Sequence, residues 1–123
     1  MTENIMLSRH GSLESAILGA LWNLEKNEIY TNSVKDVYEI LSRNDDEKRA
    51  YTTIKTVMDR LHEKKVLLRY KEGKKFYYRT VYSNHETISR ALVEIANRYC
   101  QGDLRQLRTE IDSLMEENCV LNV

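Results

Sequence analysis

The sequence predicts a mainly α-helical chain with one small β-hairpin, on three observations. Apolar residues recur at helical spacing through most of the 123 residues. Two short runs rich in aliphatic and aromatic residues, Val66 to Lys71 and Phe76 to Thr80, flank the turn Glu72-Gly73-Lys74-Lys75. Between Lys48 and Arg79 stand eleven of the nineteen Lys and Arg but only three of the nineteen Asp and Glu. A formal net charge of zero therefore conceals a local +8 balanced by −8 elsewhere, the asymmetry of a nucleic-acid footprint. Helix followed by basic hairpin is the outline of a winged helix. The expected architecture is thus a winged helix-turn-helix domain plus a C-terminal helical dimerisation region.

Residues 1–11 carry no periodicity and read as a flexible N-terminal arm. Leu13, Ala16, Ile17, Ala20, Leu21 and Leu24 then line one helical face, with Trp22 beside it and Ser12 as the expected N-cap. Asn27 to Asn32 reads as a loop with a short strand. Ser33 and Asp36 have the spacing of a capping box and open a second helix whose Val34, Val37, Tyr38 and Leu41 face inward. Asn44 to Arg49 is a polar break. A third helix starts between Ala50 and Thr53 and points Ile54, Val57, Met58 and Leu61 inward, continuing toward Val66. Its outward face is Thr52, Lys55, Thr56, Asp59 and Glu63, with Arg60 alongside. Gly73 supplies the turn position that tolerates positive φ. The winged-helix domain is expected over residues 12–82.

Ser83 or Asn84 is the expected cap of a fourth helix, striped by Ile88, Ala91, Leu92, Ile95, Ala96 and Tyr99 and ended by Gly102. Leu104, Leu107, Ile111, Leu114 and Met115 stripe a fifth. Residues 83–118 read as a two-helix dimerisation region and residues 119–123 as a tail. Helices this short are marginal alone, and a second copy of the chain is the economical place to bury their stripes. The dimerisation candidates are Ile88, Leu92, Ile95, Tyr99, Leu104, Leu107, Ile111 and Leu114.

Several function classes are disfavoured. No run of eighteen apolar residues and no basic-then-apolar leader occurs, which argues for a cytoplasmic protein without membrane partners. Cys100 and Cys119 are far apart and lack metal-ligand spacing, so neither a metal nor a cofactor is expected, and both read as reduced thiols. His10, His62 and His85 fall in three different predicted elements and no glycine-rich phosphate loop exists, so no catalytic residues and no enzyme are expected. His62 reads as a flanking or DNA-facing group.

A helix in the major groove meets base edges with its exposed side chains, and Thr52, Thr53, Lys55, Thr56 and Arg60 suit that task. Lys48 and Arg49 precede the helix N-terminus, where backbone N–H groups favour phosphate. In the hairpin Arg69, Lys74 and Lys75, with Lys71 and Arg79, have the spacing to follow a phosphate backbone or place the tip in the minor groove. The expected partner is double-stranded DNA, bound by a homodimer. The competing reading is a winged-helix protein-interaction module whose basic face binds an acidic partner; the threonine-rich helix face favours base readout over a plain ion-pair surface.

The string Thr53-Ile54-Lys55-Thr56-Val57-Met58-Asp59-Arg60-Leu61 with Lys64-Lys65 is the most specific part of the chain. Together with Leu13-Glu14, Ile17-Leu18 and Leu21-Trp22 in the first helix and the wing ending Phe76-Tyr77-Tyr78, it resembles the penicillinase-repressor (BlaI/MecI/CopY) family of bacterial winged-helix repressors, from about Ser12 to Leu114. The resemblance implies a homodimer, held by the C-terminal helices, that represses transcription from a pseudo-palindromic operator. Thr53, Lys55, Thr56 and Arg60 match positions that family members present to DNA. The chain departs from the family at three places. Antibiotic-responsive members are cleaved at an Asn-Phe bond, where this chain has Asn97-Arg98. Copper-responsive members end in paired Cys-x-Cys motifs, where this chain has Cys119 alone. The family's recognition helix ends Lys-Lys-Gly, and here Val66 replaces the glycine, so the helix-to-strand turn must be made differently.

Overall fold

The computed structural model describes residues 11–44 and 49–121. Lys48, most of the polar break and the expected arm, apart from Gly11, lie outside the described residues. Along them run five helices and one hairpin: α1 (Ser12–Lys26), α2 (Val34–Asn44), α3 (Tyr51–Glu63), β1 (Leu67–Glu72), β2 (Lys75–Thr80), α4 (Asn84–Tyr99) and α5 (Leu104–Leu121). This mainly helical chain with one antiparallel hairpin is the winged-helix outline. It divides into two compact units between Asn84 and His85.

In the first unit the inward stripes of α1, α2 and α3 meet in one core. Ile17, Leu21, Val37, Met58 and Leu61 are completely buried, with Ile54 almost so, and each such side chain contributes roughly 1.5–3 kcal/mol by leaving water. Leu67 and Tyr78 join them from the hairpin. The strands pair in register from Leu67↔Thr80 to Glu72↔Lys75, which leaves a two-residue loop with positive φ at Gly73 alone, the pattern of a type II′ turn. Glu25 on α1 then fixes the end of β2, accepting from the Thr80 backbone N–H at 2.8 Å and its hydroxyl at 2.5 Å. Trp22 Nε1 donates to the Tyr82 carbonyl at 3.0 Å.

Helix ends depart from expectation in instructive ways. The N-cap of α1 is Gly11, one residue before the expected Ser12, because the Glu14 carboxylate reaches back to the Gly11 N–H at 3.3 Å and does the capping itself. At α2 the capping box forms as expected: Ser33 Oγ accepts from the Asp36 N–H at 3.2 Å and Asp36 accepts from the Ser33 N–H at 2.8 Å. The expected strand before it shrinks to a single bridge, Asn32↔Tyr78, since the Asn32 amide turns the chain back onto the Ile29 carbonyl at 2.9 Å. Where the glycine is missing after α3, Lys65 adopts φ 65°. The Val66 N–H bonds the Leu61 carbonyl and the Lys65 N–H the His62 carbonyl, both at 2.9 Å, a Schellman ending made without glycine. The helix therefore stops at Glu63 and does not reach Val66.

In the second unit α4 ends through two left-handed residues, Gln101 at φ 50° and Gly102 at φ 80°. α5 continues through Leu121 into the segment expected as a tail, no proline or glycine intervening after Gly102. Among this unit's described side chains only Ala96 and Cys100 are buried, Leu92, Ile95 and Leu107 are half-buried, and Ile88, Val93, Tyr99, Leu104, Ile111, Leu114 and Met115 are exposed.

A left-handed residue with a Cβ is strained by roughly 1–2 kcal/mol, offset in part by the chain entropy that glycine loses on folding. Lys65→Gly should therefore raise stability by about 0.5–1 kcal/mol, read as a higher urea midpoint. An unchanged or lower midpoint would contradict this account of the turn.

Candidate nucleic-acid interface

Thr52, Lys55, Thr56 and Asp59 follow one another at helical spacing along α3, opposite the buried Ile54, Val57, Met58 and Leu61. Thr52, Thr53, Lys55, Thr56 and Arg60 are all exposed. The Thr56 hydroxyl donates to the Thr52 carbonyl at 2.9 Å, which fixes its rotamer and leaves its oxygen able to accept. Arg49, half-buried, leads into the helix.

Asp59 joins this face to the hairpin. Its Oδ1 accepts from the Tyr78 hydroxyl at 2.6 Å and from Arg69 at 3.2 Å, and its Oδ2 accepts from Lys55 at 2.9 Å. Partial burial pushes the Asp59 carboxyl up, but the hydrogen bonds from Tyr78, Lys55 and Arg69 and the Lys55 charge outweigh it and hold the group below its ordinary 3.8. Burial, with the Asp59 bond and charge adding to it, pushes the Tyr78 phenol up to about 12. The register puts Arg69, Lys71, Phe76 and Tyr78 on the hairpin's inner face. Arg69 lies over the Phe76 ring at 4.6 Å from its centroid and Lys71 at 5.8 Å. Arg79 belongs to the other face and stacks on Tyr30 at 4.8 Å, so the wing's cations do not form the single row that their spacing suggests.

Between the start of α2, the start of α3 and the wing tip lies a cleft of about 300 Å³. Lys35, Lys55, Lys74 and Lys75 line it beside Tyr51 and Phe76, and among the described residues no carboxylate does. Lys74 and Lys75 make no ion pair among the described residues. Lys35 lies outside the basic window, and charge clustering along the sequence does not single it out. One signal pointed to it: a cation in the first turn of a helix opposes the helix dipole, a local cost that suits a place where an anion is held.

The structure brings Lys55, Lys74 and Lys75 to one cleft, and sets Arg69 on the Asp59 cluster near it. His62 Nδ1 sits 3.2 Å from the Leu67 carbonyl, which turns the half-buried ring toward the root of its own hairpin. Among the described residues no cluster of His, Cys, Asp or Glu is arranged to hold a metal ion, and no helix is long and apolar enough to cross a membrane.

Comparison with known proteins adds a second line. The family model for the penicillinase repressor matches residues 10–118. Two curated relatives, each called transcriptional regulator BlaI, come from the CDC 1551/Oshkosh and ATCC 25618/H37Rv strains of Mycobacterium tuberculosis. Each is 32% identical to this chain over 88 residues, covering 72% of this chain and 59% of the relative. The match thus spans about three fifths of the relatives' length.

Because the Asp59 carboxyl titrates below its unfolded value, its stabilising effect is fully present above that value and is lost as pH falls through the folded one. Wild-type stability should therefore drop from about pH 4 downward, and Asp59→Asn should have a shallower acid limb. Urea midpoints between about pH 5 and pH 2.5 check this; parallel limbs would remove Asp59 as a contributor.

Proposed function

The chain belongs to the penicillinase repressor family, one of transcriptional regulators and not of enzymes, and on that premise we propose that it is a homodimeric, sequence-specific DNA-binding repressor of a pseudo-palindromic operator. The observation that carries the reading is the cleft in which Lys35, Lys55, Lys74 and Lys75 converge beside the exposed threonines of α3. Lys55 is paired with Asp59, but the other three lysines leave the cleft with an excess of positive charge that attracts a polyanion, and short hydroxyl and basic groups on the adjacent helix are suited to reading base edges. On this reading Thr52, Thr53, Lys55, Thr56 and Arg60 meet bases. Lys35, Arg49, Arg69, Lys74 and Lys75, with Lys48 beyond the described residues, meet phosphates.

The homodimer is supported by the second unit. Ile88, Tyr99, Leu104, Ile111 and Leu114 remain exposed, several by half or more of their surface, and an apolar stripe of this extent marks an interaction surface. A second copy supplies an identical stripe and, with it, the two-fold symmetry of a palindromic operator. Such a protein works where the DNA is, in the cytoplasm of a bacterial cell.

The direct test is selection from a random duplex library at physiological salt, followed by titration with measured stoichiometry. A two-fold-symmetric winner bound by two chains, with affinity falling steeply as salt rises, is the expected result. No enrichment, together with binding to an acidic protein that random duplex does not displace, would instead make this a protein-interaction module.

Two variant sets separate the roles. Lys55→Ala or Arg60→Ala should each cost about 1–3 kcal/mol of discrimination at one operator position. Lys74→Ala with Lys75→Ala should weaken all duplexes alike and flatten the log affinity against log salt slope by roughly 2 per protomer. Loss of sequence preference alone in the wing variant would contradict the phosphate assignment. Leu107→Glu should give monomers in sedimentation and lower operator affinity by about a hundredfold or more, since one half-site loses its linkage to the other. A monomer that keeps wild-type affinity would refute the dimer.

A further inference from the structure

We propose that Asp59 is a specificity-determining residue: its carboxylate engages Lys55 and Arg69 so that random duplex DNA gains less from them than two unpaired cations would give, while Lys55 stays aimed for base readout. The inference rests on the DNA-binding reading above.

A carboxylate among residues offered to DNA is a liability for affinity, because it repels every phosphate backbone irrespective of sequence. Asp59 stands on that face, in the row Thr52, Lys55, Thr56, Asp59. It is not an incidental surface charge. Both of its oxygens are engaged, Oδ1 by Tyr78 and Arg69 and Oδ2 by Lys55, and the tyrosine that holds it is itself only 1% exposed. A lone Lys-Asp pair four residues apart on a helix would rearrange freely in water. This one is anchored to the core through the Tyr78 hydroxyl and bridged to β1 by Arg69.

Charge bookkeeping gives the consequence. Lys55, Arg69 and Asp59 together carry a net +1, so a phosphate backbone approaching them releases fewer counterions than two lone cations would release. Base readout suffers less. An ammonium group has three donors, and with one on Asp59 the Lys55 amine retains two for a guanine edge without giving up its carboxylate. Asp59 thus weakens the phosphate attraction on which random binding rests more than it weakens base readout, and it holds the amine that tells sequences apart, so the ratio of specific to random affinity rises.

The test compares wild type with Asp59→Asn on two probes, the duplex selected from the random library and a scrambled duplex of equal length, between about 50 and 200 mM salt. The variant should bind scrambled duplex about tenfold more tightly, with a salt slope steeper by roughly 1 per protomer, and its preference for the selected duplex should fall by a similar factor. Tighter random binding cannot come from a damaged fold, which would weaken both probes. Scrambled-duplex affinity and slope equal to or below wild type, in a variant that melts cooperatively, would overturn the proposal.

Should Asp59→Asn not fold, the wild-type background carries the test. There Lys55→Gln should change the scrambled-duplex slope by clearly less than the roughly 0.9 lost in Lys74→Gln, and equal losses would overturn it. A wild-type protein with no salt-dependent DNA affinity would sink the repressor reading and this inference together. A wild type that prefers its selected duplex, beside an Asp59→Asn variant that prefers it equally, would sink this inference alone.

Discussion

The hydrogen bond from the Tyr78 hydroxyl to Asp59, 2.6 Å long, ties three levels of the molecule together. Tyr78 is a core residue, packed with Leu67 against the three-helix cluster. Its backbone N–H closes the bridge to the Asn32 carbonyl at 2.8 Å, which brings the loop before α2 onto β2. Its polar end needs a partner because a phenol buried without one forfeits its hydration. That partner lies on the outward face of α3, so the satisfaction of a core residue sets the distance between α3 and the wing. Lys55 and Arg69 inherit their positions from it.

The remaining links hold the frame in which that bond works. Glu25 secures the end of β2 through Thr80. Glu14, 7% exposed, bonds Lys64 at 3.2 Å and so joins the start of α1 to the end of α3. A buried carboxylate with a partly solvated lysine is weak evidence for net stability, yet it fixes which end of α3 faces α1. The Schellman ending at Lys65 then reverses the chain into β1 within three residues, from Glu63 to Leu67. Hairpin placement thus depends on polar contacts at both of its roots, while its tip, with Lys74 and Lys75 exposed, makes no ion pair with the described residues.

Periodicity made most of the fold legible. The residues expected inside α3, namely Ile54, Val57, Met58 and Leu61, are all buried, because a 3.6-residue repeat is a statement about one face and needs no knowledge of what that face meets. The glycine marked the turn of the hairpin, while Glu72 and Lys75, expected in that turn, are drawn into the strand pairing. The candidate site was legible as a charge window and as the outward face of α3, but not as a cleft. Asp59 and Tyr78 are nineteen positions apart, and nothing in local pattern pairs a helix carboxylate with a strand phenol. Lys35 fell outside the window because proximity in the cleft is a product of tertiary packing. Arg79 fell inside it yet faces away, since alternation along β2 sends it to the surface shared with Tyr30. Position 65 shows the same limit at a turn: the Leu61 and His62 carbonyls needed donors, and the chain met that need with a lysine in a conformation that residue type alone argues against.

The two units distribute opposite surfaces along one chain. In the first, apolar stripes find one another and the outward face of α3 presents exposed hydroxyls and cations. In the second, Ala96 and Cys100 alone among the described side chains are buried, Leu92, Ile95 and Leu107 are half-buried, and Ile88, Leu104, Ile111 and Leu114 stay open to water. A unit in that condition gains from association, and on the proposed reading association is also what gives the first unit its selectivity. One protomer reads few bases through α3, and a short site recurs too often in a genome to be distinguished. Two protomers fixed by a symmetric interface read two half-sites in a single event, and the effective concentration of the second domain multiplies the discrimination of the first. A device such as Asp59 that trims random affinity fits this arrangement, because what each domain yields in general attraction the dimer recovers on a matched pair of half-sites and nowhere else.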